Sequence, residues 1–479
     1  MPEKGLKNKT KKGLYWSFLN QFANEGIQFV IGIFMARLLS PSDYGITALP
    51  AVFMAVAGVF VGGGFSDALI RKTEIKEEDL STAFYYSIGV GVVCYAILFF
   101  ASPWIAVFYN TPVLEDLMKV TALSFLYGPL NTPQNVILKR RLDFKTPAKV
   151  SVVCRIFAGV IGISLAFCGY GVWALVLSSL FSGILGLLIN WYVVRWFPKT
   201  GWSKESFRYL WGYGNKMMAS SLLDTLYRNI TPVFIGKYYS TGDLGVYNRA
   251  RNYAKLPSVH ITQTIQSVSF PVISKIKDNN VKLEVTYRRM IRLSGFVIFP
   301  LMMMLAALAR PLIIVMITEK WASSIYLLQI ICFSMMWYPI HALNLSLLRA
   351  KGRSDLFFKL EIYKKTMGLT ILAITLPLGI VVFCYGGVIS SLLNLFINTY
   401  YTGKLINCGY IKQMKDLLPT FILSLIMFLI VYGLTLLIPN MFLQIIIGGI
   451  TGSVFYLICA KLFRPSELND LLYILNRKG

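Results

Sequence analysis

The sequence is poor in the residues that bind metals and form disulfides. Its 479 residues include two His and seven Cys. The cysteines lie in or beside apolar segments at no metal-ligand spacing, and their number is odd. Both features argue against a zinc site and against a disulfide framework. We therefore expect neither a metal nor a cofactor.

Motifs for nucleotide binding and metal-dependent hydrolysis are also missing. The chain has no Walker A pattern, no dinucleotide-binding glycine fingerprint and no HExxH. ATP-driven transport and metalloenzyme chemistry therefore have no motif to support them. The loops between apolar segments are too short to hold a catalytic domain. Any chemistry or transport must therefore take place within the membrane helices.

What the chain has in abundance is long apolar runs. Hydrophobic residues make up 56% of it, and its mean hydropathy is +0.61. About twenty helical residues cross a hydrocarbon core of about 30 Å. The pattern predicts an all-α polytopic membrane protein with about fourteen transmembrane helices. The predicted segments are 14–38, 45–69, 82–101, 117–138, 149–168, 172–194, 209–237, 246–273, 287–309, 323–348, 357–383, 387–406, 417–438 and 441–461. The first segment is too long and too polar for a cleavable signal peptide.

The basic residues are distributed unevenly between the loops. The chain has 47 Lys and Arg against 22 Asp and Glu, a formal net charge of +25. The cations gather in alternate loops, whereas the loops near 40–44, 169–171, 385–387 and 439–440 carry none. This is the positive-inside pattern. It predicts a membrane protein with both termini cytoplasmic, and its charge indicates contact with anionic membrane lipids and not with nucleic acid.

Three short motifs occur twice in the same order. RLLSPSDYGI (37–46) aligns without gaps with KYYSTGDLGV (237–246). FCGYGV (167–172) resembles FCYGGV (383–388), and NVILKRRLDF (135–144) loosely resembles NLSLLRAKGR (344–353). The repeat predicts two pseudo-symmetric six-helix lobes, which we place at 1–208 and 209–410, followed by two C-terminal helices and a cytoplasmic tail at 411–479. Transporters of this plan bind substrate between the halves and alternate access by rocking them.

The first helix of each predicted lobe carries a polar stripe, and so does the helix that follows 241. These stripes consist of Asn20, Gln21, Asn24, Glu25 and Gln28; of Ser221, Asp224 and Arg228; and of Asn248, Arg249, Arg251, Asn252, Lys255 and Gln266. Charged residues in the bilayer core are costly, so such stripes face a water-filled cavity or another helix. We expect them to line a shared cavity with excess positive charge, which suits an anionic cargo.

Each residue of these stripes also has a purely structural interpretation. Polar side chains also join transmembrane helices by hydrogen bonds, worth about 0.6 kcal/mol on average. Asp224 and Arg228, four residues apart, are placed to neutralise each other. Arg249 and Arg251 lie near a helix end, where a surface role is the alternative. A second set, at the inner mouth or in proton coupling, comprises Asn131, Gln134, Asn135, Arg155, His341 and Asn344.

The whole chain resembles a known family. The features that carry the resemblance are the polar first helix ending in ARLLSPSDYGI, the turn GYGVWALV (169–176) and the stretch LGVYNRARNYAKLP (244–257). They resemble the Wzx-type polysaccharide repeat-unit flippases of the multidrug/oligosaccharidyl-lipid/polysaccharide (MOP) exporter superfamily. The resemblance implies two six-helix lobes around a V-shaped cationic cavity. It also implies a transporter and not an enzyme. Such a flippase transfers undecaprenyl-pyrophosphate-linked oligosaccharides from the cytoplasmic to the periplasmic leaflet of the bacterial inner membrane, for O-antigen, capsule or exopolysaccharide.

On that resemblance, the pyrophosphate candidates are Arg249 and Arg251, with Lys255 and Arg228 behind them. The expected partners are the lipid-linked oligosaccharide, membrane lipids and a downstream polysaccharide polymerase. Coupling to H⁺ or Na⁺ is left open.

Other functions stay open at this point. A cation-coupled multidrug exporter of the same superfamily would need an acidic constellation, and the available carboxylates, Glu25, Asp67 and Asp224, are scattered. The sequence distinguishes poorly between a lipid II flippase and an oligosaccharide flippase of the same superfamily. A membrane glycan polymerase or ligase would need a long periplasmic loop, and a non-transporting scaffold would not need polar stripes in register.

Overall fold

The computed structural model describes residues 3–463 and 466–470 and is helical, with no strand among these residues. The helices of the first part are α1 (Glu3–Leu38), α2 (Pro41–Ala48), α3 (Ala51–Gly62), α4 (Phe65–Arg71), α5 (Glu77–Phe108), α6 (Val113–Ala122), α7 (Ser124–Tyr127), α8 (Thr132–Arg140), α9 (Lys145–Phe167), α10 (Val172–Val194) and α11 (Lys204–Tyr238). Those of the second part are α12 (Thr241–Lys275), α13 (Asn280–Ala307), α14 (Ala309–Ile317), α15 (Ser323–Met335), α16 (Tyr338–Ala350), α17 (Ser354–Thr375), α18 (Ile380–Ile406), α19 (Tyr410–Leu437) and α20 (Met441–Phe463). Three 3-10 turns join them at Gly128–Asn131, Glu319–Trp321 and Leu376–Leu378.

Nine stretches of the described chain are helical, long and apolar enough to cross a membrane. They are Pro41–Arg71, Glu77–Phe108, Lys145–Phe167, Val172–Val194, Asn280–Ala307, Ser323–Ala350, Ile380–Ile406, Tyr410–Leu437 and Met441–Phe463. The prediction of an all-helical membrane protein is confirmed. The long helices α1, α11, α12 and α17 fall outside this set because polar residues interrupt them, and the count of fourteen stays a prediction.

Several predicted segments are broken helices. The predicted helix at 45–69 turns at Gly63 and Gly64, both in the left-handed region with φ of 53° and 70°. A Cβ atom at Gly64 would also meet the backbone of Gly214 on α11 at 2.7 Å. The predicted helix at 117–138 is divided among α6, α7, a 3-10 turn that begins at Gly128 and α8. Glycine and proline thus mark where these helices bend.

The chain forms two compact units, 1–245 and 246–479. In the first unit, α11 packs against α3, α4 and α5, and the fully buried side chains of Phe65, Leu69 and Leu210 form a core there. In the second unit, α13 packs along α19, and the rings of Phe299 and Trp337 meet edge to face at 5.1 Å. The observed division follows residue 245, and the lobes expected from the repeat stay a prediction.

The first repeated motif forms the same capped turn twice. Ser40 and Asp43 exchange hydrogen bonds between each side chain and the other residue's backbone N–H, at 3.2 and 2.8 Å. Ser240 and Asp243 do the same at 3.0 and 3.2 Å. Such a capping box satisfies backbone N–H groups that the first turn of a helix leaves open. The equivalence predicted from the sequence is therefore present in local structure.

Candidate functional site

The polar stripe of α1 divides between a buried side and an exposed side. Asn24 is buried and donates from Nδ2 to Ser151 Oγ on α9 at 2.9 Å. Ser151 Oγ donates in turn to Asn20 Oδ1 at 2.8 Å. Asn20 and Asn24 also contact each other directly. These two asparagines therefore join α1 to α9, as the packing interpretation expects.

The exposed side of the same stripe holds Gln21 and Gln28, with Glu25 half-buried. Arg155 of α9 donates from Nη1 to Gln28 Oε1 at 2.6 Å. The sequence offered no partner for Arg155, because Gln28 lies 127 positions away in the chain. Arg155 thus adds a cation to the exposed side of α1.

On α11, Arg228 and Asp224 form the ion pair that their spacing indicated. Nε of Arg228 lies 2.7 Å from Asp224 Oδ2, and both side chains are well exposed. Ser221, one turn earlier, is exposed as well. Arg228 is therefore largely neutralised by a neighbour on its own helix.

Arg249, the first of the cations on α12, packs against aromatic rings of its own unit. The centre of its guanidinium lies 5.0 Å from the ring centroid of Trp321, which is fully buried, and 5.7 Å from that of Tyr253. A guanidinium at this distance is attracted to the face of an aromatic ring. The structure therefore gives Arg249 a packing role that its sequence neighbours did not indicate.

Arg251 and Lys255 lie on a different side of α12. Two residues turn a helix by about 200°, so Arg249 and Arg251 point in nearly opposite directions. Arg251 is half-buried and Lys255 is exposed, and along the same side Asn248 is half-buried and Asn252 is exposed. Within the described chain, Arg251 and Lys255 form no hydrogen bond or ion pair with another side chain. We call these four residues the cationic face of α12.

The remaining polar residue of α12 joins helices. Gln266 Nε2 lies 3.3 Å from both the Ala342 carbonyl and Ser346 Oγ of α16, to which it donates. The cationic face thus ends before Gln266, and the part of α12 around Gln266 is fixed to α16.

Asn344 belongs to a buried network in the second unit. It has no exposed surface, and its Nδ2 donates to Gln413 Oε1 of α19 at 3.0 Å. Its Oδ1 accepts from Gln413 Nε2 at 3.1 Å and from Thr402 Oγ1 of α18 at 2.7 Å. Because every polar atom of Asn344 has a partner, the network holds three helices together.

His341, one turn earlier on α16, is half-buried against α18. Its Nε2 lies 3.2 Å from Ser391 Oγ, and its Nδ1 lies 3.3 Å from Asn398 Nδ2. Ser391 donates to the Ser334 carbonyl at 3.0 Å, so its hydroxyl is free to accept from His341. A neutral ring with its proton on Nε2 satisfies all these contacts.

In the first unit the inner-mouth candidates at the start of α8 and in the 3-10 turn before it differ in their surroundings. Gln134 is fully buried, and its amide lies within hydrogen-bond distance of the Leu130 carbonyl and Trp191 Nε1. Asn131 Oδ1 accepts from Asn190 Nδ2 at 3.4 Å, whereas Asn135 is exposed. Of the three, only Asn135 presents its side chain to the surface.

Residues 34–326, more than half of the chain, match the family described as polysaccharide biosynthesis protein. The chain belongs to this family. Along nearly its whole length it is 24% identical to the teichuronic acid biosynthesis protein TuaB of Bacillus subtilis (strain 168), over 98% of this chain and 97% of that protein. It is 25% identical to the lipopolysaccharide biosynthesis protein WzxC of Escherichia coli (strain K12), over 75% and 73%. It is 23% identical to the succinoglycan biosynthesis transport protein ExoT of Rhizobium meliloti (strain 1021), over 95% and 94%.

Solved structures show the same fold. The lipid II flippase MurJ in an inward closed conformation superposes with a TM-score of 0.75, covering 95% of this chain and 100% of that one at 18% identity. An inward-facing multidrug resistance MATE family transporter of the MOP superfamily gives 0.59, covering 80% and 96% at 15% identity.

These comparisons agree with three predictions made from the sequence. The chain belongs to a family of polysaccharide biosynthesis and is similar to the Wzx-type protein WzxC. Its fold is that of the MurJ flippase and of a MATE transporter of the MOP superfamily. Its relative ExoT is named a transport protein, in agreement with the expected class of transporters.

Proposed function

We propose that this protein is a flippase for lipid-linked oligosaccharides. Its cargo is an undecaprenyl-pyrophosphate-linked repeat unit of an O-antigen, capsule or exopolysaccharide. It moves this cargo from the cytoplasmic to the periplasmic leaflet of a bacterial inner membrane by alternating access between two six-helix lobes. Family membership and relatives named for lipopolysaccharide, teichuronic acid and succinoglycan biosynthesis support the proposal.

The observation that carries the proposal is the cationic face of α12. Arg251 and Lys255 stand one helical turn apart without an acidic neighbour bound to either. A pyrophosphate brings at least two negative charges and several acceptor oxygens, which a guanidinium binds in bidentate fashion and an ammonium binds as a point charge. Asn248 and Asn252 add amide groups able to bond sugar hydroxyls.

The four cations first considered for the pyrophosphate therefore separate into two groups. Arg251 and Lys255 are proposed to contact it. Arg249, stacked on Trp321, stiffens the helix that presents them, and Arg228 is held by Asp224. The exposed side of α1, with Gln21, Glu25 and Gln28, is proposed to line the path of the polar headgroup.

The test is the lipid content of cells that lack this gene while the glycan pathway is otherwise intact. Mass spectrometry of the extract should show an accumulated undecaprenyl-pyrophosphate oligosaccharide, which disappears when the gene is restored. If lipid II accumulates instead, the cargo is the peptidoglycan precursor and not an oligosaccharide repeat unit. New sensitivity to cationic drugs without any accumulated lipid would overturn the proposal in favour of a multidrug exporter.

A further inference from the structure

The connection between α10 and α11 carries an exposed mixture of aromatic and basic side chains. Phe197 and Trp202 are 55% and 48% exposed. Around them stand four exposed cations and one exposed acid, Glu205. We call this surface the linker face, and it consists of Arg195, Phe197, Lys199, Trp202, Lys204 and Arg208.

We propose that the linker face binds the headgroups of anionic phospholipids. The proposal concerns a surface that is separate from the cationic face of α12, and it does not rest on the proposed function.

The linker face lies where membrane-crossing helices end. The candidate span Val172–Val194 stops directly before Arg195, and the candidate span Glu77–Phe108 begins beside it. Thr200 Oγ1 donates to Ser81 Oγ, and the Ser203 N–H donates to Thr82 Oγ1, both at 3.1 Å. Two span ends joined at this level place the connection at the headgroup region of a bilayer.

Aromatic contacts pack the connection against α5, α10 and α11. Trp196 packs edge to face on Phe84 of α5 at 5.8 Å. Phe197 meets Trp191 at 4.9 Å, and Trp202 meets Phe207 at 5.0 Å. These ring contacts fix the backbone that carries the cations, so binding a headgroup there costs less conformational freedom than binding to a loose loop.

Arg195 contributes a cation from a backbone position that glycine usually occupies. It has a φ of 52°, the left-handed conformation that usually falls to glycine at a helix C-terminus. Its Nε donates to the Tyr192 carbonyl at 3.3 Å, and its guanidinium lies 5.5 Å from the Tyr192 ring centroid. An arginine in a glycine position keeps a cation at this point at the expense of backbone strain.

The mixture of side chains favours a lipid surface over another anionic partner. Tryptophan and tyrosine concentrate at the membrane–water interface, where a ring contacts acyl chains and a polar edge contacts water. Lysine and arginine nearby attract anionic lipids at short range. Exposed apolar residues of α10, Leu188 at 62% and Val193 at 47%, continue the surface toward the hydrocarbon.

The experiment uses the full-length protein purified in detergent, with added phosphatidylglycerol as the probe. Native mass spectrometry measures bound lipid, and thermal unfolding measures the protection it gives. The test variant is Lys199→Gln/Lys204→Gln/Arg208→Gln. The matched control is Lys275→Gln/Lys277→Gln/Lys282→Gln, which removes the same charge from exposed positions of the second unit.

We expect the apparent affinity for phosphatidylglycerol to fall about tenfold or more in the test variant, since each cation near an anionic headgroup contributes to binding. The control variant should bind phosphatidylglycerol like the wild type. Phosphatidylcholine should bind equally to the wild type, the test variant and the control variant. Lys199→Gln alone should give an intermediate affinity. Unchanged binding in the test variant, an equal loss in the control, or equal protection by inorganic phosphate would each overturn the proposal.

Discussion

Gly45 and Gly245 occupy equivalent positions in the two copies of the capped turn, and each lies against the backbone of the other copy. A Cβ atom at Gly45 would overlap the Thr241 carbonyl, and one at Gly245 would overlap the Pro41 carbonyl. Beside them the hydroxyls of Ser42 and Thr241 are 2.7 Å apart. The start of α2 and the start of α12 thus approach as closely as backbones can.

Gly45→Ala and Gly245→Ala should each lower the thermal unfolding temperature of the purified protein. The added methyl group meets backbone atoms that no rotamer change can move, and such overpacking costs about 1–3 kcal/mol. Differential scanning fluorimetry in detergent measures the effect. Gly58→Ala is the matched control, because nothing lies within 4 Å of its Cβ position. An alanine there should leave the protein as stable or slightly more so, by up to about 1 kcal/mol. Equal unfolding temperatures in all three variants would contradict the close contact.

The sequence predicted that these two glycines are equivalent but not that they meet. Their equivalence follows from the alignment of the two segments, and the shared capping box follows from serine and aspartate at fixed spacing. Contact between residues 200 positions apart depends on how the helices between them pack. The sequence therefore predicts local hydrogen bonding at these turns, but it does not predict the contact between segments that are far apart in the chain.

Arg251 and Arg249, two positions apart, should respond differently to the same change. If Arg251 binds pyrophosphate, Arg251→Ala should reduce glycan export at least about tenfold, since a charged hydrogen bond contributes about 1.5–3 kcal/mol. Its unfolding temperature should stay near that of the wild type. Arg249→Ala should lower the unfolding temperature, because it removes the side chain that covers Trp321. Surface glycan staining and scanning fluorimetry separate the two effects.

Arg310→Ala is the control for both arginines. Arg310 is exposed on α14 and makes no hydrogen bond or ion pair with the described residues. Its loss should alter neither export nor unfolding temperature. Normal export by Arg251→Ala would remove Arg251 from the proposed contact and leave the lipid-extract experiment to decide the function independently.

The same pair marks the limit of sequence reasoning at the site. The stretch NRAR (248–251) places two cations together, and both were candidates for the pyrophosphate. Helical spacing alone separates their directions by about 200°. Arg249 is the arginine that packs on an aromatic ring, because Trp321 lies beside it in the fold. Trp321 is 72 positions farther along the chain, and no local sequence feature indicates this contact. Composition therefore predicted the cationic helix, and tertiary packing decided which cation is exposed.

Asn344→Ala should destabilise the second unit. The change leaves the buried Gln413 Oε1 without its donor, whereas Gln413 Nε2 and Thr402 Oγ1 keep their bonds to the Cys408 and Asn398 carbonyls. An unsatisfied buried polar group costs about 1–3 kcal/mol. Scanning fluorimetry of the purified protein should show a clear fall in unfolding temperature. Asn135→Ala, at an exposed position of α8, should show almost none. A similar small effect in both variants would mean that the network contributes little beyond packing.

Cys168 offers a test of the predicted orientation without any added tag. It is exposed at the end of α9, in a loop that the positive-inside rule places on the periplasmic side. A membrane-impermeant maleimide should therefore label it in intact spheroplasts at pH 7. Cys408, in the connection between α18 and α19, is buried, and burial raises the pKa of its thiol to about 12. Because the thiolate is the reactive form, Cys408 should not react from either side. Cys168→Ser is the control, and its spheroplasts should lose the label. Labelling of Cys168 in inverted vesicles but not in spheroplasts would reverse the topology and place both termini on the periplasmic side.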